Sequence, residues 1–160
     1  MFAPSEPLNA FRVRGEWADW LATFPWTHFG TYTFKEPRQT VRAAVGCLKA
    51  HHRRLGWDDV EARAFAVVEG GEGVRLHLHT LSLLRWVGAR ADLAAHAMVS
   101  EPLHRAAHRR WFESYGRCRV SPLQGDSIGA AFYVAKYLLK TAEPRWFFLP
   151  NRGWEGLIPE

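Results

Sequence analysis

The stretch EGGEGVRLHLHTLSLL, residues 69–84, sets three glycines and two glutamates ahead of an apolar run that contains His77 and His79. A glycine-rich turn between two β-prone runs reads as an antiparallel hairpin. Its incoming strand is ARAFAVVEG (62–70) and its outgoing strand VRLHLHTLSL (74–83). Alternate residues of a strand point to the same side, so both imidazoles leave one face together. A strand that only had to fill a core would not place them there. Glu69 closes the incoming strand and joins the histidines if the register sets it beside His77. A slip of one residue would send it to the other face, and Glu72 in the loop is the alternative carboxylate.

Working outward, THFGTYTF (27–34) alternates aromatic and β-branched residues and reads as a strand. KEPRQ follows, with Pro37 suited to a helix start. The spacing predicts a helix from Gln39 to Leu55 with Val41, Ala44, Val45, Leu48 and Leu55 on its buried stripe and Gly56 at its end. Residues 91–115 have a helical pattern that Pro102 breaks or kinks. RCRVSPL (117–123) is a fourth strand, and Asp126 or Ser127 can cap a last helix that runs through Lys140. The order βαββαβ followed by a helix is an α+β arrangement with a ferredoxin-like (RRM-like) antiparallel sheet. The domain is expected over 26–142. Residues 1–25 form an irregular arm or short helix, and 143–160 a tail packed on the domain.

The balance of 21 Lys+Arg against 16 Asp+Glu gives a formal net charge of +5, which favours a polyanionic partner without specifying one. Two cysteines without CxxC spacing exclude a disulfide framework and a cysteine zinc site. The N-terminus lacks the apolar centre of a signal peptide, and no run approaches the roughly 20 apolar residues of a membrane span. A cytoplasmic protein with no membrane partner is the expectation.

Two neutral imidazoles at i and i+2 on a strand can reach one divalent ion. With Glu69, the set is two nitrogens and one carboxylate, leaving positions open for water and substrate. Such donors suit Mg²⁺ or Mn²⁺ when the substrate carries phosphate, and could also hold zinc.

The second constellation is AFYVAKYLLK (131–140). At 3.6 residues per turn, Tyr133, Lys136, Tyr137 and Lys140 share one side, and Ile128, Phe132, Ala135 and Leu139 form a separate apolar stripe. The two phenols stand about 6 Å apart along the axis, among ammonium groups that can lower their pKa and hold a phosphate. A phenol is a poor nucleophile at neutral pH, since its pKa is about 10. It becomes useful against a phosphodiester when a cation neutralises the phosphate oxygens.

With these residues in view, the chain resembles the HUH endonucleases, the family of rolling-circle replication initiators, relaxases and related transposases. HLH (77–79) looks like the family's His-hydrophobic-His motif, and YVAKYLLK (133–140) like the two-tyrosine motif of phage gene-A-type initiators. FGTYTF (29–34) occupies the place of the first motif, a strand that helps build the DNA-binding site. The resemblance runs in order from about Phe29 to Lys140. It implies metal ligation by His77, His79 and Glu69, with Mg²⁺ or Mn²⁺ as cofactor. It implies nucleophilic roles for Tyr133 and Tyr137, with Lys136 as phosphate or tyrosinate partner. DNA contacts are expected from Lys140, Thr31, Tyr32, Thr33 and Arg75.

The implied activity is sequence-specific nicking of single-stranded or supercoiled origin DNA through a 5′-phosphotyrosine intermediate. Its implied context is rolling-circle replication of a small phage or plasmid in a bacterial cytoplasm. The chain ends soon after the tyrosine helix, so unwinding is expected to depend on negative supercoiling or a host helicase, alongside host replication machinery. A transposase or relaxase, a phosphoesterase using activated water, and a non-catalytic single-strand binder remain alternatives.

Other features read as structural. His51-His52-Arg53-Arg54 is expected at the exposed end of the first helix. His96, His104 and His108 form a solvated basic face. Trp57, Trp86 and Trp111 are expected at the core or its edge.

Overall fold

The computed structural model describes residues 8–38, 40–71, 73–99, 101–140, 145–150 and 154. Its central feature is the hairpin of β2 (Val60–Gly71) and β3 (Val74–Trp86), paired antiparallel from Val60 opposite Trp86 to Glu69 opposite His77. The register shifts between Glu69 and Gly71, a bulge that falls on Gly70 at φ 103°. A Cβ at Gly70 would run into the Arg75 carbonyl across the hairpin, so glycine is needed there twice over. The bulge takes up the irregularity of the loop while Glu69 keeps the face of the histidines.

On the other side of β3 lies β1 (His28–Tyr32), with β4 (Cys118–Pro122) outside it; β5 (Trp146–Leu149) pairs with β2. The sheet order is β4-β1-β3-β2-β5 with every neighbouring pair antiparallel. The fold is α+β.

Both faces of the sheet are covered, and strand parity decides what each receives. Leu76, Leu78 and Leu84 of β3 join Ala66 and Val68 of β2 in a core with α2 (Val41–Gly56) and α4 (Leu103–Ser114). Phe65, Val67 and Leu81 join a second core with α1 (Leu8–Ala22) and α5 (Ile128–Leu138). His77 and His79 have the parity of Leu81 and so face α5.

Several expectations need correction. The N-terminal arm is a fifteen-residue helix whose Ala18 and Leu21 are fully packed in the second core. The tail supplies the fifth strand, and Trp154 packs its ring against Phe148 at 4.9 Å. The helical pattern over 91–115 is broken, as Pro102 led one to expect, into α3 (Gly88–Ala95) and α4, with Pro102 in extended conformation as the cap of the second. Helix α2 begins at Val41 with Thr40 as its cap; Gln39 lies outside the described residues.

His51 is not at an exposed helix end: it is fully buried, wedged against Tyr32 and Trp111, and neither ring nitrogen has a hydrogen-bond partner among the described residues. It lies seven residues from Ala44 and three from Leu48, on the same stripe. Trp57, expected at the core or its edge, is 72% exposed. Its neighbour Asp58 makes the contact instead, accepting two hydrogen bonds from Arg110 at 2.6 and 2.7 Å and so tying the end of α2 to α4. Among the described residues no helix is long and apolar enough to cross a membrane.

Candidate functional site

The cross-strand register builds the site. Antiparallel partners share a face, so Arg119, Thr31, His79 and Val67 form one row across four strands. His77 and Glu69 are partners in the next row. Helix α5 lies over this face through Ala131, Val134 and Ala135, all fully buried. Small residues at that seam let the helix approach closely, which brings its phenols down onto the imidazoles.

The contacts are specific. The Tyr137 ring stacks on His79 with centroids 4.1 Å apart and planes at 8°. Tyr133 meets His79 edge-on at 5.9 Å and Phe29 at 5.4 Å. The Tyr137 hydroxyl donates to the Tyr133 hydroxyl at 2.8 Å. His79 Nε2 and Glu69 Oε2 are 2.9 Å apart, and Glu69 Oε1 accepts from Lys140 Nζ at 2.8 Å. His79 Nδ1 lies 3.3 Å from Thr31 Oγ1.

These partners fix the protonation pattern. Burial pushes the His79 pKa down, only partly opposed by Glu69, so the ring is neutral and carries one proton. Burial raises the Glu69 carboxyl, but hydrogen bonds from Lys140 and His79 outweigh it and hold the pKa below the ordinary value. An ionised carboxylate only accepts. The His79 proton therefore sits on Nε2, and Nδ1 accepts from the Thr31 hydroxyl.

The phenols are unequal. Tyr137 is 7% exposed and Tyr133 42%. Burial, and after it the hydrogen bond to Tyr133 and the charge of Glu69, push the Tyr137 pKa upward. For Tyr137 this corrects the expectation that neighbouring ammonium groups make the phenol more acidic. Lys136 and Lys140 are present, but over the face of the Tyr137 ring, at 5.6 and 4.6 Å from its centroid. The expected stripes of α5 are rotated as well. Ile128 and Leu139 are exposed while Tyr137 is buried, its ring flat on His79, and it is Phe132 that meets α1, edge-on to Phe11 at 5.7 Å.

The structure thus brings Tyr133, Tyr137, His79, Glu69, Lys140 and Thr31 together. His77 is on the same face, and its Nδ1 is buried with no hydrogen-bond partner among the described residues. Tyr32 is not at the site: it is 2% exposed, on the opposite face, against Trp111. Thr33 is held in place, its hydroxyl donating to the Arg117 carbonyl at 2.8 Å. Lys140 is tied to Glu69. Glu72 lies outside the described residues. Arg117 and Arg119, not singled out in the sequence, are exposed beside the histidine rows; their alternation with Val120 was the available signal.

For metal binding, the test is whether these donors fit. His79 Nε2 and Glu69 Oε2 are separated by about the distance between adjacent ligands of an octahedral ion with bonds near 2.1 Å, roughly 3 Å. Among the described residues no three His, Cys, Asp or Glu side chains are gathered around one point. The hydrogen-bonded His79–Glu69 pair thus offers two donors at a spacing one small divalent cation can bridge, and His77, the cross-strand partner of Glu69, is the third candidate.

Compared with known proteins, the chain matches no family model, no curated protein and no solved structure.

Proposed function

We propose that the protein is a metal-dependent nickase and strand transferase of single-stranded DNA, of the HUH type, acting at a rolling-circle origin of a small phage or plasmid in a bacterial cytoplasm. The observation that supports this reading most is the convergence of the Tyr133–Tyr137 pair with His79 and Glu69 in one space. Reading β4-β1-β3-β2 as a ferredoxin-like core with β5 added at its edge belongs to the same proposal.

Tyr133 is the nucleophile, being the exposed phenol and the one whose oxygen accepts a hydrogen bond. Its oxygen attacks the phosphorus, the bond from phosphorus to the 3′ oxygen breaks, and the 5′ phosphoryl group stays on Tyr133. The phenolic proton passes to solvent, and the departing 3′ oxygen takes up a proton to become a hydroxyl. One phosphoester replaces another, so no nucleotide is consumed. Tyr137 donates to the Tyr133 oxygen and stabilises the anion from which attack occurs. His77, His79 and Glu69 would hold Mg²⁺ or Mn²⁺; for His79 to offer its Nε2 lone pair, the ring's single proton would shift to Nδ1, with the Thr31 hydroxyl turning to accept it. The chemistry gained from such an ion is charge neutralisation at the non-bridging phosphate oxygens.

The test uses a randomised single-stranded DNA pool with Mn²⁺ and a denaturing gel. The wild type and Tyr137→Phe are expected to form a covalent protein–DNA band, and Tyr133→Phe none. An adduct that persists in the double Tyr→Phe variant would reject both phenols. Cleavage without adduct would point to activated water, and binding alone to a non-catalytic module.

A further inference from the structure

Beside His77 lies a cavity of about 660 Å³, lined by Lys35, Arg75, His77, Phe112, Gly116 and Arg117 among others. That volume is within the range of pockets that enclose small ligands. Its floor is rigid: Thr33 N–H donates to the Arg117 carbonyl at 2.9 Å and Lys35 N–H to the Tyr115 carbonyl at 2.6 Å. Gly116, at φ 147°, makes this approach possible, because a Cβ there would strike the backbone of residues 33–35.

The cavity lining carries three cations. Arg85, Arg109 and Arg110 are all paired with carboxylates. Lys35, Arg75 and Arg117 are exposed and have no carboxylate partner among the described residues. Three cations left without partners around one cavity repel each other, and an anion there relieves that repulsion. At the rim, Phe112 is 60% exposed, its ring stacked on His108 at 12°. An aromatic face turned to solvent among cations suits a nucleobase, which needs a π surface for its ring and positive charge for its backbone.

We infer that this cavity holds one unstacked nucleotide of the DNA strand, its base on Phe112 and its flanking phosphates on Lys35, Arg75 and Arg117. The inference rests on the proposed DNA substrate but not on cleavage. His77, which lines the cavity, stands two residues before His79 on β3, so a strand held there can run on toward the histidine face.

The experiment measures anisotropy of a labelled mixed-sequence single-stranded DNA, without divalent metal, against an abasic strand of equal length and an RNA of the same sequence. Phe112→Ala is expected to weaken binding of the base-bearing DNA about 5- to 100-fold and to leave the abasic strand unchanged. Phe112→Trp should restore binding. Arg75→Gln and Arg117→Gln should weaken both DNA strands and flatten the salt dependence by about 0.7 each. Wild-type affinity in Phe112→Ala, equal losses on the two DNA strands, or tighter binding of the RNA would each overturn the inference. Adduct formation is scored separately, so absence of cleavage with the Phe112 effect intact counts against the nickase alone.

Discussion

The Tyr137 hydroxyl donates a 2.8 Å hydrogen bond to the Tyr133 oxygen while the Tyr137 ring lies flat on His79. Two tyrosines that look equivalent in the sequence are therefore divided into an exposed phenol and a buried one that supports it. Removing the support is expected to slow attack without abolishing it. Tyr137→Phe should lower the single-turnover rate of adduct formation about 10- to 1,000-fold, against complete loss in Tyr133→Phe. Equal rates in wild type and Tyr137→Phe would deny Tyr137 this role.

His79 and Glu69 present adjacent donors, and the carboxylate is shared with Lys140. His79→Ala and Glu69→Ala should each raise the Mn²⁺ concentration needed for half-maximal adduct by about 10-fold or more. Direct Mn²⁺ titration by electron paramagnetic resonance should show the same order, and chelation should stop cleavage while leaving single-strand binding intact. Unchanged Mn²⁺ binding in both variants would remove these residues from the metal site.

The buried His51 gives the fold a pH dependence. Burial, and after it the nearby charges of His52 and Arg54, hold its pKa down at about 3; burial, and after it His104, hold His28 at about 4. Both are neutral in the fold, whereas in the unfolded chain they take up protons below about 6.5. Stability therefore falls as pH drops from about 6.5 toward 4, by up to about 1.4 kcal/mol per pH unit for each group. His51→Leu removes one contribution and two unpaired buried nitrogens. It should raise stability at pH 7 by about 1–2 kcal/mol and flatten the acid slope. Urea midpoints at pH 7 and pH 5 measure both effects; a less stable variant with an unchanged slope would contradict them.

Gly70 holds the bulge that keeps Glu69 on the histidine face. Gly70→Ala combines a positive φ with a collision at the Arg75 carbonyl, and should lower stability by about 1–3 kcal/mol. The expected companion effect is loss of Mn²⁺ binding through displacement of Glu69. A thermal melt with an unchanged midpoint would deny the bulge its role.

The hairpin, the shared face of the two histidines and the tyrosine helix were legible in the sequence because alternation and 3.6-residue spacing fix them locally. Glu69 was legible only as a condition, since register depends on a glycine conformation that composition does not specify. Tyr32 was misplaced because the strand containing it alternates on both faces: Thr31 shares the face of His79, so Tyr32 must turn away. The burial of Tyr137 comes from its ring lying flat on His79, a contact between α5 and β3 that spacing within either segment does not specify. His51 looked like part of a basic run because its neighbours are cationic, yet helical spacing put it in line with Leu48.

The central claim is that the Tyr133 oxygen becomes bonded to DNA. Lys136 lies between the two tyrosines, so trypsin separates them into VSPLQGDSIGAAFYVAK (120–136) and YLLK (137–140). Mass spectrometry of the adduct formed with Mn²⁺ should find the nucleotide on the first of these peptides, at Tyr133. Nucleotide confined to YLLK, or attached to a residue outside both peptides, would contradict it.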